Sequence, residues 1–264
     1  MLDSEREVIR QAVRDKYGSV AKATDTGCGC SIPSCCSPGD ISIALGYSPE
    51  QLTAVPEGAN MGLGCGNPHA LAGLKEGETV LDLGSGGGFD CFLAAQAVGD
   101  TGRVIGVDAT PEMVSKARQN SASAGFKNIE FRLGEIENLP VADSSIDVII
   151  SNCVINLSPD KSRVFRESLR VLKPGGRLAI SDIVATAQLP DEMKDDIALY
   201  TGCVAGAVSV DELIDMLSEV GFTNIRIQTK DESKEFIHDW APGMKVEDFV
   251  VSAIIEAVKP ECCS

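Results

Sequence analysis

Thiols are the side chains with the most chemistry to offer in this chain of 264 residues, which holds ten cysteines. As thiolates they act as nucleophiles, redox partners and ligands for soft centres. Their settings differ. Cys28, Cys30, Cys35 and Cys36 crowd a stretch rich in Gly, Ser and Pro, and Cys262 and Cys263 form a vicinal pair in the tail. Cys65 stands in Gly62-Leu-Gly-Cys-Gly-Asn-Pro68, Cys153 in Ser151-Asn-Cys-Val-Ile-Asn-Leu157, and Cys203 in Thr201-Gly-Cys-Val-Ala-Gly206. A trigonal soft centre such as As(III) wants three thiolates, so Cys65, Cys153 and Cys203 form a candidate set, needing only to meet in space. Cys91 sits in an apolar helical stretch and reads as a small core residue. For the amino-terminal cluster zinc is an alternative ligand, although the paired C-x-x-C spacing of structural zinc sites is missing.

A second constellation is Leu81-Asp-Leu-Gly-Ser-Gly-Gly-Gly-Phe-Asp90. Gly84, Gly86 and Gly88 fall between a strand and a helix, where a ligand can approach the backbone without Cβ atoms in the way. Asp108 ends the next strand 20 residues after Gly88, from where a carboxylate can reach both hydroxyls of a ribose. A dinucleotide fingerprint would need a third glycine at position 89, which is Phe89, so NAD is disfavoured.

The elements that must position these groups alternate strand and helix from about Thr79 to Asp182, the pattern of a parallel sheet covered on both faces. Strands are expected at 79–84, 103–108, 129–133, 146–152 and 177–182. Helices are expected at 90–98, from Pro111 to Gly125, and from Pro159 until Pro174-Gly-Gly176 breaks the run. Helical candidates follow at 191–201 and 211–220, then strands at 223–230 and 249–259. Residues 18–66 read as wrapped loop with one apolar stretch at 41–45. The opening MLDSEREVIRQAVRDKYG has the spacing of an amphipathic helix and no signal-peptide pattern.

Acidic residues outnumber basic ones by 39 to 23, a formal charge of −16, which repels nucleic acid and anionic membranes. No apolar run approaches the roughly 18 residues of a membrane span. Ten cysteines without a secretory signal suit a reducing, cytoplasmic setting in which they stay thiols.

The run from Asp82 together with Leu172-Lys-Pro-Gly-Gly176 resembles the S-adenosylmethionine site of class I methyltransferases. That resemblance implies a Rossmann-like, seven-stranded and mostly parallel sheet with helices on both faces and the last strand inserted antiparallel. It also implies a donor-binding set of Asp82, Gly84, Ser85, Gly86, Gly88, Asp108, Met113, Glu135, Ile136 and Asn152, with Met113 packing on the adenine and Glu135 and Ile136 at its edge. By position alone Met113 is equally a core residue on a helix face.

The three cysteine segments around Cys65, Cys153 and Cys203 are similar to those of arsenite methyltransferases, over about residues 15–225. The resemblance implies arsenite, or its thiol conjugates, bound by those cysteines, with the arsenic lone pair attacking the sulfonium methyl to leave S-adenosylhomocysteine. It further implies an amino-terminal relay cysteine among Cys28, Cys30, Cys35 and Cys36, with Cys35 and Cys36 counted as catalytic candidates, and thioredoxin or glutathione as reductant. No general base is needed for such a nucleophile, and the two histidines, His69 and His238, read as structural.

Three segments are expected: 1–66 with the amino-terminal helix and cysteine-rich loops, 67–228 binding the donor, and 229–264 with a final strand and the Cys-Cys tail. Two rival functions use the same features differently: a class I methyltransferase acting on carbon, nitrogen or oxygen of a small metabolite, and a protein that sequesters arsenic or a metal without catalysis.

Overall fold

A computed structural model describes residues 3–23 and 38–261, apart from the side chains of Ala70 and Leu71. Cys28, Cys30, Cys35, Cys36, Cys262 and Cys263 lie outside the described residues.

Along the chain the helices are α1 (Asp3–Lys22), α2 (Pro38–Ala44), α3 (Pro49–Thr53) and α4 (His69–Ala72), followed by strand β1 (Thr79–Leu83). Then come α5 (Phe89–Val98), β2 (Arg103–Asp108), α6 (Pro111–Ala124), β3 (Ile129–Leu133) and β4 (Ile146–Asn152). A 3-10 turn at Ile155–Leu157 precedes α7 (Lys161–Val171) and β5 (Leu172–Ala185). The remainder is α8 (Asp191–Lys194), α9 (Ile197–Thr201), α10 (Val210–Val220), β6 (Thr223–Lys230), α11 (Lys234–Ile237) and β7 (Val250–Val258).

The strands form one seven-stranded sheet in the order β3-β2-β1-β4-β5-β7-β6. Pairings from β3 through β5 are parallel, and β7 runs antiparallel to both β5 and β6, as the methyltransferase resemblance implies. Chain order reverses direction across the sheet between β1 and β4, and at such a switch the loops leaving the carboxyl ends part and leave a crevice. The inner strands bury both faces: β1 and β4 are almost wholly buried, so they read as mostly apolar runs rather than alternating ones. One core layer gathers Leu81, Ile149, Phe165, Leu178 and Leu217, the other Val80, Phe92, Val98, Val148 and Ala179. Each large apolar side chain so buried contributes about 1.5–3 kcal/mol.

The structure departs from the sequence expectations in several places; α1 runs on to Lys22 inside the stretch expected as loop, and α4 and α11 were not expected. Positions 38–44 and 49–53 are short helices rather than loop; Ser48 makes a capping box with Gln51, and Pro49 opens the second one, so local capping suffices for a turn. Helix α7 starts at Lys161 and not at Pro159, because the Asp160 side chain accepts the Arg163 amide and caps it. Pro174-Gly-Gly176 does not stand outside the sheet; β5 begins at Leu172 and carries it as an irregularity in the pairing with β4. The helical candidate at 191–201 is two helices, since Asp196 caps a fresh start at Ile197 by accepting the Ala198 and Leu199 amides.

Candidate active site

The loop between β1 and α5 turns on residues that only glycine accommodates well. Gly84 has φ +72° and its missing Cβ would lie 2.2 Å from Val154 Cγ2; Gly88 has φ +94° and would meet Phe92 and Phe131 at 2.8 Å. The chain can therefore pass tightly from the sheet edge into the helix. Above this loop opens a cavity of about 1100 Å³, walled by Asp82, Ser85, Gly86, Asp108, Met113 and Ile136, and reaching Cys153 and Cys203.

Asp108 accepts the Gly86 amide at 2.9 Å and the Thr110 amide at 2.8 Å, locking the loop to the end of β2. Burial raises its pKa while those amides pull it down. Asp82 is raised by burial and then by the charge of Asp90, and the Cys91 thiol donates to it at 3.2 Å. Cys91 is fully buried, so the expected core residue is also a partner of the first motif's carboxylate. Met113 is buried, at 1% exposure, yet it lines the cavity. Glu135 and Ile136 line it too. Asn152 also lines it, but its carboxamide grips the Cys65 loop: the Cys65 amide donates to Oδ1 at 3.0 Å, and Nδ2 donates to the Gly66 carbonyl at 2.8 Å.

Helix α1 roofs the cavity. Its Arg14 pairs with Glu135 at 2.6 Å and its Arg10 with Glu137 at 3.4 Å. Tyr17 donates to the Thr201 carbonyl at 3.3 Å. Burial raises the Glu135 pKa, then Glu137 does, against the pull of Arg14. None of these contacts is readable in sequence beyond the amphipathic spacing of the helix, because each spans more than a hundred residues.

The three cysteines of the candidate set lie near one another, and two of them meet at their sulfurs. Cys65 and Cys153 are joined by a disulfide with Cα atoms 5.8 Å apart, a pairing that differs from the expectation of free thiols throughout. Cys203 remains a thiol and donates to the Cys153 carbonyl at 2.9 Å. All three are buried, at 1%, 7% and 3% exposure, in one apolar cluster with Ile183, Leu199 and Val204. Burial, then Asp182, pushes the Cys203 pKa well up. Cys153 and Cys203 share an uncommon backbone, with φ of +56° and +67°. For a residue with a Cβ this region costs about 1–2 kcal/mol, and sequence gave no sign of it.

Asp182 is the residue that sequence reading missed. Its carboxylate lies within 4.8 Å of both disulfide sulfurs and accepts from the Ile155 and Ile183 amides and from Asn156. Burial lifts its pKa to about 6 against those amides and Lys161. Of the histidines, His69 approaches Asp90 at 3.2 Å and the exposed His238 pairs with Glu247 at 2.8 Å.

The residues present fit a nucleoside-bearing methyl donor. Gly86 and Gly87 floor the cavity without side chains, the buried Ser85 hydroxyl has no hydrogen-bond partner among the described residues, and the Asp108 carboxylate stands at the wall. Fold and site define an S-adenosylmethionine-dependent methyltransferase of the Rossmann-like class, and residues 74–235 match the family model for a methyltransferase domain. The chain is 53% identical to an arsenite methyltransferase of Halobacterium salinarum, covering 98% of this chain and 68% of that one. It is 40% identical to the arsenite methyltransferase of Aquipseudomonas alcaligenes, covering 83% and 63%. It belongs to the arsenite methyltransferase family. The chain thus spans about two thirds of the length of these two relatives, and 42% of the human arsenite methyltransferase, to which 57% of it matches. The crystal structure of an arsenic(III) S-adenosylmethionine methyltransferase from Chlamydomonas reinhardtii superposes with a TM-score of 0.64 at 35% identity, covering 84% of this chain and 74% of that one. Phosphoethanolamine N-methyltransferase 2 of Haemonchus contortus, 18% identical with a TM-score of 0.63 and coverage of 85% and 58%, shares the fold.

Proposed function

We propose that this chain methylates trivalent arsenic held by Cys65, Cys153 and Cys203. The observation that carries the reading is their convergence at the carboxyl edge of the sheet, with Cys153 and Cys203 on the wall of the cavity that Gly86 floors. S-Adenosylmethionine, when bound, supplies an electrophilic methyl group on sulfur. Asp108 and Glu135 would hold its adenosine, Ser85 and Gly86 its middle, and Met113 and Ile136 would pack on the base. The thiols aim the arsenic lone pair, and such alignment supplies much of the rate by proximity and orientation. No proton leaves the nucleophile, so no side chain need act as a base.

Arsenite, or its thiol conjugates, would enter once the Cys65–Cys153 bond is open. A dithiol of thioredoxin, or two glutathione thiols, supplies the two electrons: Cys65 and Cys153 return to thiols as the reductant becomes a disulfide. A cytoplasmic setting suits this requirement. The amino-terminal cysteines, Cys35 and Cys36 foremost, would relay thiol exchange.

Mass spectrometry of products from arsenite, donor and a thiol reductant tests the reading. Methylated arsenic and S-adenosylhomocysteine are expected from the parent, and none from Cys153→Ser although it still binds donor. Equal turnover by the two proteins would sink it.

A further inference from the structure

We propose that Asn152, assisted by Ser252, is a positioning residue that clamps the Cys65 loop in register with Cys153, and that its carboxamide serves the arsenic half of the site rather than the donor half. This rests on the arsenic reading for its consequence in turnover, but not for its geometry.

The clamp follows from the order of atoms at the end of β4. Asn152 is the last residue of that strand and Cys153 the next in the chain, so a contact that anchors Asn152 acts one residue from the Cys153 turn. Its carboxamide reads the Cys65 loop as a peptide unit would, accepting from the Cys65 amide at 3.0 Å and donating to the Gly66 carbonyl at 2.8 Å. The second Nδ2 hydrogen faces the Tyr47 hydroxyl at 3.0 Å, and that hydroxyl in turn donates to Asp90 at 2.7 Å. With both Asn152 polar atoms committed to protein groups, little of the carboxamide is left for a ligand.

From the other side, the buried Ser252 hydroxyl of β7 donates to the Cys65 carbonyl at 2.7 Å, and its amide is held by Ser233. The two flanking glycines let the clamp close. A Cβ on Gly64 would lie 2.7–2.9 Å from the Asn152 carboxamide, and one on Gly66 would lie 2.1 Å from Ser181 Oγ. The glycines around Cys65 are thus required by the side chains that seat it. Cys65 reaches Cys153 because both of its own peptide groups are tethered to neighbouring strands, and sulfur atoms so placed meet repeatedly without a search.

Asn152→Ala and Asn152→Asp remove one or both halves of the clamp, and Ser252→Ala removes the other side. Asp at 152 keeps the acceptor but turns a donor into a carboxylate facing the Gly66 carbonyl and Asp90. Donor affinity is read by calorimetry with S-adenosylmethionine, KM by turnover of arsenite, and loop register by the rate at which diamide closes the Cys65–Cys153 disulfide in reduced protein, followed by peptide mass spectrometry. For Asn152→Ala we expect donor affinity within about twofold of the parent, arsenite KM raised about tenfold or more, and disulfide closure slowed about tenfold. Asn152→Asp should behave alike, and Ser252→Ala should show the same pattern at smaller amplitude. A loss of donor affinity equal to the rise in arsenite KM, or disulfide closure at the parental rate, would overturn the clamp. If Asn152→Ala fails to fold, the closure rate of Ser252→Ala decides by the same criterion. Closure is measured without arsenic, so the clamp can stand even where the parent turns over no arsenite, in which case it is the arsenic reading that has failed.

Discussion

Cys203 holds its thiol 2.9 Å from the carbonyl oxygen of Cys153, fifty positions earlier, and both residues take left-handed backbone. A thiol tethered to the main chain of another cysteine, each at a strained position, is hard to account for by packing alone. Two loops are being held against each other, with the Cys203 thiol on the Cys153 main chain, while Asp182 is the group that completes the set within 4.8 Å of the Cys65 and Cys153 sulfurs.

The first consequence concerns reactivity. Burial raises the Cys203 pKa above its ordinary 9.0, so the thiolate is scarce at neutral pH. Iodoacetamide should label Cys203 in the folded protein at least about tenfold more slowly than in urea at pH 7.5. The raised value also means that Cys203 favours the folded state below pH 9 and that this contribution is lost as pH rises beyond it. Cys203→Ala should therefore lose less stability than the parent between pH 8 and pH 10.5. Parallel melting curves across that range would refute the assignment.

The roof over the cavity gives the second. Arg14 pairs with Glu135 at 2.6 Å and is partly exposed, with 23% of its side chain open to solvent, so the pair is worth no more than about 1 kcal/mol. Arg14→Ala should weaken S-adenosylmethionine binding about two- to fivefold, and the difference should shrink in 1 M salt. Titration calorimetry at two ionic strengths tests it. A salt-independent loss would point to a direct contact with the donor instead.

The glycine loop gives a matched pair. Gly84→Ala drives a Cβ to 2.2 Å from Val154 at φ +72°, and should destabilise the fold by about 2–4 kcal/mol. Gly73→Ala has φ +50° with nothing within 4 Å, and should cost about 1 kcal/mol from conformation alone. Urea unfolding of both variants would show the order, and equal losses would mean that the crowding at Val154 relaxes freely.

Asp182 supplies a pH dependence. Its folded pKa of about 6 exceeds the ordinary 3.8, so its proton stabilises the fold, fully below pH 4 and progressively less as pH rises through 6. The effect across that window is at most about 3 kcal/mol. The stability of Asp182→Asn relative to the parent should therefore improve from pH 4.5 to pH 7.5, whatever its starting offset from the lost acceptor oxygen. A constant difference between their unfolding midpoints would contradict the raised value.

The central part of the fold was legible in order because its signals are local. A buried parallel strand is mostly apolar, as Ile146 and Val148 to Ile150 are in Ile146–Asn152, and a chain turning sharply from strand to helix uses glycine, as at Gly84 to Gly88. The same holds for Asp108, whose distance from the glycines is counted along one helix and one strand. Capping residues were also local, but weaker: Asp160 moved the helix start that Pro159 had suggested, and Asp196 split the helical candidate at 191–201.

What the sequence alone determined is the order of strands and helices and a candidate set of cysteines, since Cys65, Cys153 and Cys203 stand in glycine-rich or edge segments that do not call for a small core residue. Only the tertiary structure decided how they meet. The Cys65–Cys153 bond, the Asn152 and Ser252 grip on the Cys65 loop, and the approach of Asp182 to both sulfurs each join residues from different strands or loops. Such contacts depend on strand register and on the path of the chain after each turn, quantities set by the packing of the whole sheet and carried by no short stretch of residues.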